Sequence, residues 1–149
     1  MSEFNYVERQ TVPYRQAALL NNTSCGCRRS NIVHQDGFGG ITVRGAAGNQ
    51  NVKYELKYSG NIALSEGATV GPISVAVTIN GEIVTDTIAT LTPAAVGDFW
   101  HVSGFKVLNI PLGCCTQIAI ENVSAADTAG ANPSIDIQNL LVSLNQVIR

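Results

Sequence analysis

Beyond residue 51 the chain carries five stretches in which apolar residues alternate with polar or small ones, and no segment reads as an amphipathic helix. The clearest is 73–80, where Ile73, Val75, Val77 and Ile79 share one face and Ser74, Ala76 and Thr78 the other. A period of two is that of a half-buried strand. The stretch ends in Asn80-Gly81, the pair best suited to a two-residue hairpin turn with both central residues at positive φ. Val52, Tyr54, Leu56 and Tyr58 alternate with Lys53, Glu55 and Lys57 in a second clean in/out pattern. Further strands are expected at 41–44, at 83–91 returning from the hairpin, at 99–108 with a bulge at Gly104, and at 116–122. In the last strand, from Ser134, Ile135 and Ile137 share one parity while Leu140, Val142 and Leu144 share the other. Either a bulge or a strand covered on both faces would produce that switch.

About eight short strands punctuated by Gly- and Pro-rich turns define an all-β, antiparallel β-sandwich. Cys114 and Cys115 are adjacent and Trp100 precedes both, so the Cys…Trp…Cys order of an immunoglobulin domain is missing and a jelly roll is favoured. The expected core is Val52, Tyr54, Leu56, Ile73, Val75, Val77, Ile79, Ile118 and Ile120. Residues 1–31 are polar and unpatterned apart from a strand-like piece at 14–20. They read as an irregular N-terminal arm that anchors the chain, ahead of a single domain at 32–149. Fixing backbone costs about 1–2 kcal/mol per residue, so such an arm needs contacts outside itself to be ordered.

Composition narrows the function classes. Charged residues make up only 13% of the 149 residues, against roughly 25% in an average soluble domain. The net charge is −2, which argues against nucleic-acid binding. No run reaches the length of a membrane span and the first residues lack the pattern of a signal peptide, so synthesis in a bacterial cytoplasm and no membrane partner are expected.

Candidate chemistry is sparse. Cys25, Cys27, Cys114 and Cys115 admit three readings: free thiols, one or two disulfides formed after release from a reducing cytoplasm, or a zinc site. The one-residue and zero-residue spacings are poor for zinc. His34 and His101 are the only histidines, too few for a cupin-like metal cluster, and no catalytic signature surrounds either. Asp36-Gly-Phe-Gly-Gly40 is a turn signal and lacks the Lys-Ser/Thr ending of a phosphate loop. Tyr54, Tyr58, Phe99, Trp100 and Phe105 are candidates for core, subunit interface or ligand surface. No enzyme activity, no cofactor and no metal are expected.

The stretches 58–64, 67–82, 92–96 and Ile110-Pro-Leu-Gly-Cys-Cys115, together with His34–Gly37 and Gln138-Asn139, resemble small C1q/TNF-like jelly-roll proteins of gut Firmicutes and their phages. The resemblance spans roughly residues 32–144 and rests on structural turns and strands. It implies a homotrimer, with Tyr54, Tyr58, Trp100, Ile135, Ile137 and Leu141 as the guessed interface. It also implies a non-enzymatic structural protein of a tailed-phage virion, a capsid decoration or head-surface protein held by the major capsid protein or another virion protein. The alternative is a receptor- or glycan-binding tip of a phage fibre or bacterial surface protein, with a host-surface glycan as partner.

Overall fold

The structure, a computed structural model, describes residues 2–22, 32–43, 52–110 and 115–147. The strands are β1 (Ser2–Tyr6), β2 (Gln10–Val12), β3 (Asn21–Asn22), β4 (Ile32–Val33), β5 (Ile41–Val43) and β6 (Val52–Leu64). They continue with β7 (Ile73–Ile79), β8 (Glu82–Ile83), β9 (Ala89–Leu91), β10 (Trp100–Ile110), β11 (Thr116–Asn122) and β12 (Ile135–Gln146). A single 3-10 turn, Thr85–Thr87, interrupts the return from the hairpin. The first sheet has the order β10-β6-β12-β1-β3, with β2 also paired to β12. The second has the order β4-β5-β11-β7-β8, with β9 also paired to β7. Both sheets are antiparallel and pack face to face, as sandwich sheets do.

The alternation along β6 does what its period demands. Val52, Tyr54, Leu56 and Tyr58 are buried, while Lys53 and Lys57 are exposed and Glu55 is half-buried. Ile73, Val75, Val77, Ile118 and Ile120 face the same core, and Ile79 packs against it half-buried. At the hairpin Asn80 has φ 51° and Gly81 φ 83°, and Ile79 pairs with Glu82 across the turn. The parity switch in β12 is a bulge: the register to β6 shifts between Gln138 and Leu141, with Asn139 at φ 55°. Bulging by one residue turns Leu140, Val142 and Leu144 back into the core and Leu141 out of it.

Two expectations are corrected. Gly104 makes no bulge, because β10 pairs with β6 in unbroken register from Trp100↔Ile62 to Ile110↔Val52. The larger correction concerns the N-terminus, where residues 2–22 are part of the sandwich and not an arm standing ahead of it. β1 pairs with Leu140–Leu144 of β12 and β2 with Ile135–Ile137, while Ala17 bridges to Glu121 of the second sheet. Phe4, Val12, Ala18 and Leu20 are buried in the common core. The contacts that order this segment therefore come from the domain itself.

Candidate functional site

One face of each sheet covers the core, leaving the other for solvent or partners. On the outer face of the first sheet, directly paired residues are Phe105 with Lys57, Ser103 with Ser59, Val107 with Glu55, and Leu141 with Ser59. Phe105 (53% exposed), Val107 (42%) and Leu141 (41%) form an apolar centre there. A groove of about 570 Å³ runs through it, lined by Lys57, Ser59, Ser103, Phe105, Leu141 and Ser143 and floored by Tyr58 and Gly104. Lys57 is the one charged residue in that lining, and its ammonium lies 5.8 Å from the centre of the Phe105 ring. Apolar patches of this kind, rimmed by small polar side chains, mark interaction surfaces.

The floor of the groove is rigid. Tyr58 runs beneath Gly104 and donates its phenolic O–H to the Thr87 carbonyl at 2.6 Å, tying β6 to the 3-10 turn. Burial pushes that phenol up to about 12, so it remains a neutral donor across the physiological range.

Of the six residues guessed for a subunit interface, Tyr54, Tyr58, Ile135 and Ile137 are each 2% exposed or less within one chain. Their apolar parity does mark a covered face, but the opposite sheet covers it, so they have no surface to offer a partner. Trp100 and Leu141 are exposed as an interface requires. Phe105, already a candidate aromatic, and Val107 are exposed on the same outer face as Leu141. They sit at odd positions on a strand whose even positions Val102, Leu108 and Ile110 are core, so β10 is apolar on both faces and the signal was present in its sequence.

The histidines are far apart in role. His34 holds a turn, with Nδ1 2.7 Å from Asn22 Oδ1, Nε2 2.8 Å from the Phe38 carbonyl, and Phe4 edge-on at 4.8 Å. His101 lies on the outer face of the first sheet beside Asn61. Cys25, Cys27 and Cys114 fall outside the described residues, and Cys115 is exposed. Among the described residues no group of three or more His, Cys, Asp or Glu gathers to hold a metal ion.

At the end of the sandwich where β6 finishes and β12 begins, the buried carboxylate of Asp136 collects four donors. Arg9 donates through Nε at 2.9 Å and through Nη2, Thr11 Oγ1 donates at 2.7 Å and Ser65 Oγ at 2.8 Å. Burial pushes the carboxyl upward, but the hydrogen bonds from Thr11, Ser65 and Arg9 and the Arg9 charge outweigh it. The group therefore sits below the ordinary aspartate value. Nearby the Arg9 guanidinium also lies 5.8 Å from the centre of the Phe99 ring. A smaller cleft of about 160 Å³ opens on the outer face of the second sheet. Its Glu121 accepts from Thr78 Oγ1 at 2.7 Å and faces Arg15 Nε at 3.8 Å.

This topology, two antiparallel sheets closed by an N-terminal segment that crosses between them, is a C1q/TNF-like jelly roll. Superposition on the globular domain of zebrafish complement 1qA protein gives a TM-score of 0.60 over 99% of this chain and 96% of that one, at 14% identity. Rabbit GITRL matches with a TM-score of 0.41 over 93% of each chain, also at 14% identity. A family 35 carbohydrate-binding module from Clostridium thermocellum gives 0.34 over 91% of this chain and 98% of that one, at 15% identity. The first of these carries the fold assignment. No family model matches the sequence, and no curated protein matches it.

Proposed function

We propose that this chain is a non-enzymatic structural module that associates as a homotrimer through the outer face of its first sheet. The observation that carries the reading is the apolar centre of Phe105, Val107 and Leu141 around a groove with a single charge. A cyclic assembly covers such a face equally on every copy. The setting is the surface of a tailed-phage virion, as a capsid decoration or head-surface protein, in keeping with the resemblance of its turn and strand motifs. Ser2 pairs with Leu144, so the start of β1 and the end of β12 lie at the same end of the sandwich. That end would face the particle, with the 65–72, 92–99 and 123–134 loops pointing away.

The test is the mass in solution at micromolar concentration. Sedimentation should give three chains and not the 15.7 kDa of one, and Phe105→Glu should yield single folded chains. A wild-type protein that sediments as one chain overturns the reading. Locating the protein on intact particles by electron microscopy tests the setting.

One observation favours a second role at the loop end. Trp100 is 54% exposed, and its indole N–H donates to Asp98 Oδ2 at 2.9 Å, which fixes one edge of the ring. Such a platform suits stacking on a sugar ring. Glycan binding that disappears in Trp100→Ala while the trimer mass persists would establish the receptor-binding alternative.

A further inference from the structure

We infer that in the assembled ring the Asp36–Phe38 turn of one copy seats in the Phe105/Leu141 groove of the next, with Asp36 against Lys57. This rests on the trimer proposed above and names the second half of its interface.

A threefold ring is built from heterologous contacts, so each chain must present two different, complementary patches. The groove is one of them. Phe105 and Val107 stand on β10, at one edge of the first sheet, and the opposite edge is β3. The 36–38 turn is fastened beside that opposite edge. Gly37 N–H donates to the Leu20 carbonyl at 2.9 Å and Leu20 N–H to the Phe38 carbonyl at 3.1 Å. Asn22 N–H donates to Asp36 Oδ1 at 2.7 Å. Held in this way, Phe38 stands 57% exposed with Val33 nearby in sequence at 46%. Knob and groove thus lie at opposite edges of one sheet, the arrangement that joins copies head to tail.

Charge and rigidity agree with this pairing. The groove lining contributes one cation, Lys57, and the turn contributes one anion, Asp36. Both ring nitrogens of His34 are engaged by Asn22 and by the Phe38 carbonyl, so the turn is set before docking and little ordering remains to be done.

The experiment uses the full chain in three forms: wild type, Phe38→Glu and Phe105→Glu, each checked for a cooperative melt and then sedimented. Each variant alone is expected at the mass of one chain. An equimolar mixture is expected at the mass of two chains, because the intact turn of Phe105→Glu fits the intact groove of Phe38→Glu and nothing further can add. Phe38→Glu that remains trimeric, or a mixture that stays at one-chain mass, overturns the inference while leaving the trimer reading in place. Wild type at one-chain mass overturns both. Should Phe38→Glu fail to fold, Phe38→Ala decides: a trimer that dissociates at least tenfold more readily supports the pairing, and an unchanged trimer refutes it.

Discussion

Gly104 of β10 lies directly against the ring of Tyr58 on β6. A Cβ built on Gly104 would run into Tyr58 Cε1 and would sit 2.8 Å from Cζ and 2.9 Å from the hydroxyl oxygen. The ring is held in place by its hydroxyl, which donates to the Thr87 carbonyl. The glycine is therefore a packing requirement of its partner, and it sets the depth of the groove above.

Gly104→Ala should destabilise the fold by about 1–3 kcal/mol, the usual cost of overpacking. Tyr58→Phe should cost about 0.5–1.5 kcal/mol for the lost hydrogen bond. Tyr58→Leu made in the Gly104→Ala background should be less harmful than the sum of the two changes. Urea denaturation of wild type, Gly104→Ala, Tyr58→Leu and their double variant gives the coupling, and strict additivity would show that ring and glycine do not compete for space.

Asp136 makes stability depend on acid. Its folded-state value is lowered, so its contribution is present in full above the unfolded aspartate value of about 3.9 and is lost as pH falls through the lower folded value. Wild type should lose stability progressively below about pH 4, and Asp136→Asn should lose less over the same range while being weaker at pH 7. Arg9 is 56% exposed and contributes a screened interaction. Most of the difference should therefore survive in high salt, carried by Thr11 and Ser65. A pair of stability curves against pH that run parallel from 7 to 3 would contradict this assignment.

The hairpin should tolerate little change at its second residue. With Gly81 at φ 83°, Gly81→Ala places a Cβ in the left-handed region at a cost of about 1–2 kcal/mol. Asn80→Ala should cost a similar amount, since it also removes the bond from Gln117 N–H to Asn80 Oδ1 at 2.9 Å. Thermal melts of both variants provide the check.

What could be read in the sequence was what local geometry determines. The Asn80-Gly81 turn, the full extent of β11 and the change of face in β12 all follow from interactions within a few residues. The N-terminal strands do not. Phe4 and Val12 belong to a scattered, unpatterned set of apolar residues, and their segments become strands because β12, late in the sequence, supplies their ladder. The candidate interface was misplaced for a related reason. Alternation tells which residues share a face, but not whether that face meets the other sheet or a partner. The same parity that puts Tyr54 in the expected core is therefore equally compatible with a face covered by a partner, and for Tyr54 and Ile137 it is the second sheet that covers them.

The same long-range pairing decides what truncation should do. Deleting residues 1–13 removes β1 and β2, uncovers one side of β12 and takes Phe4 and Val12 out of the core. Phe4→Ala alone should cost about 3–5 kcal/mol, a large share of the roughly 5–15 kcal/mol that holds a domain together. The ring is 4% exposed and packs edge-on against His34, so the turn beside β3 should loosen as well. The truncated chain is accordingly expected to lose its cooperative melt and to expose apolar surface to a hydrophobic dye. Phe4→Leu, which refills part of the space, should recover much of the loss. A truncated chain that melts as cooperatively as the full one would show that the segment is dispensable to the sandwich and would restore its reading as a separate arm.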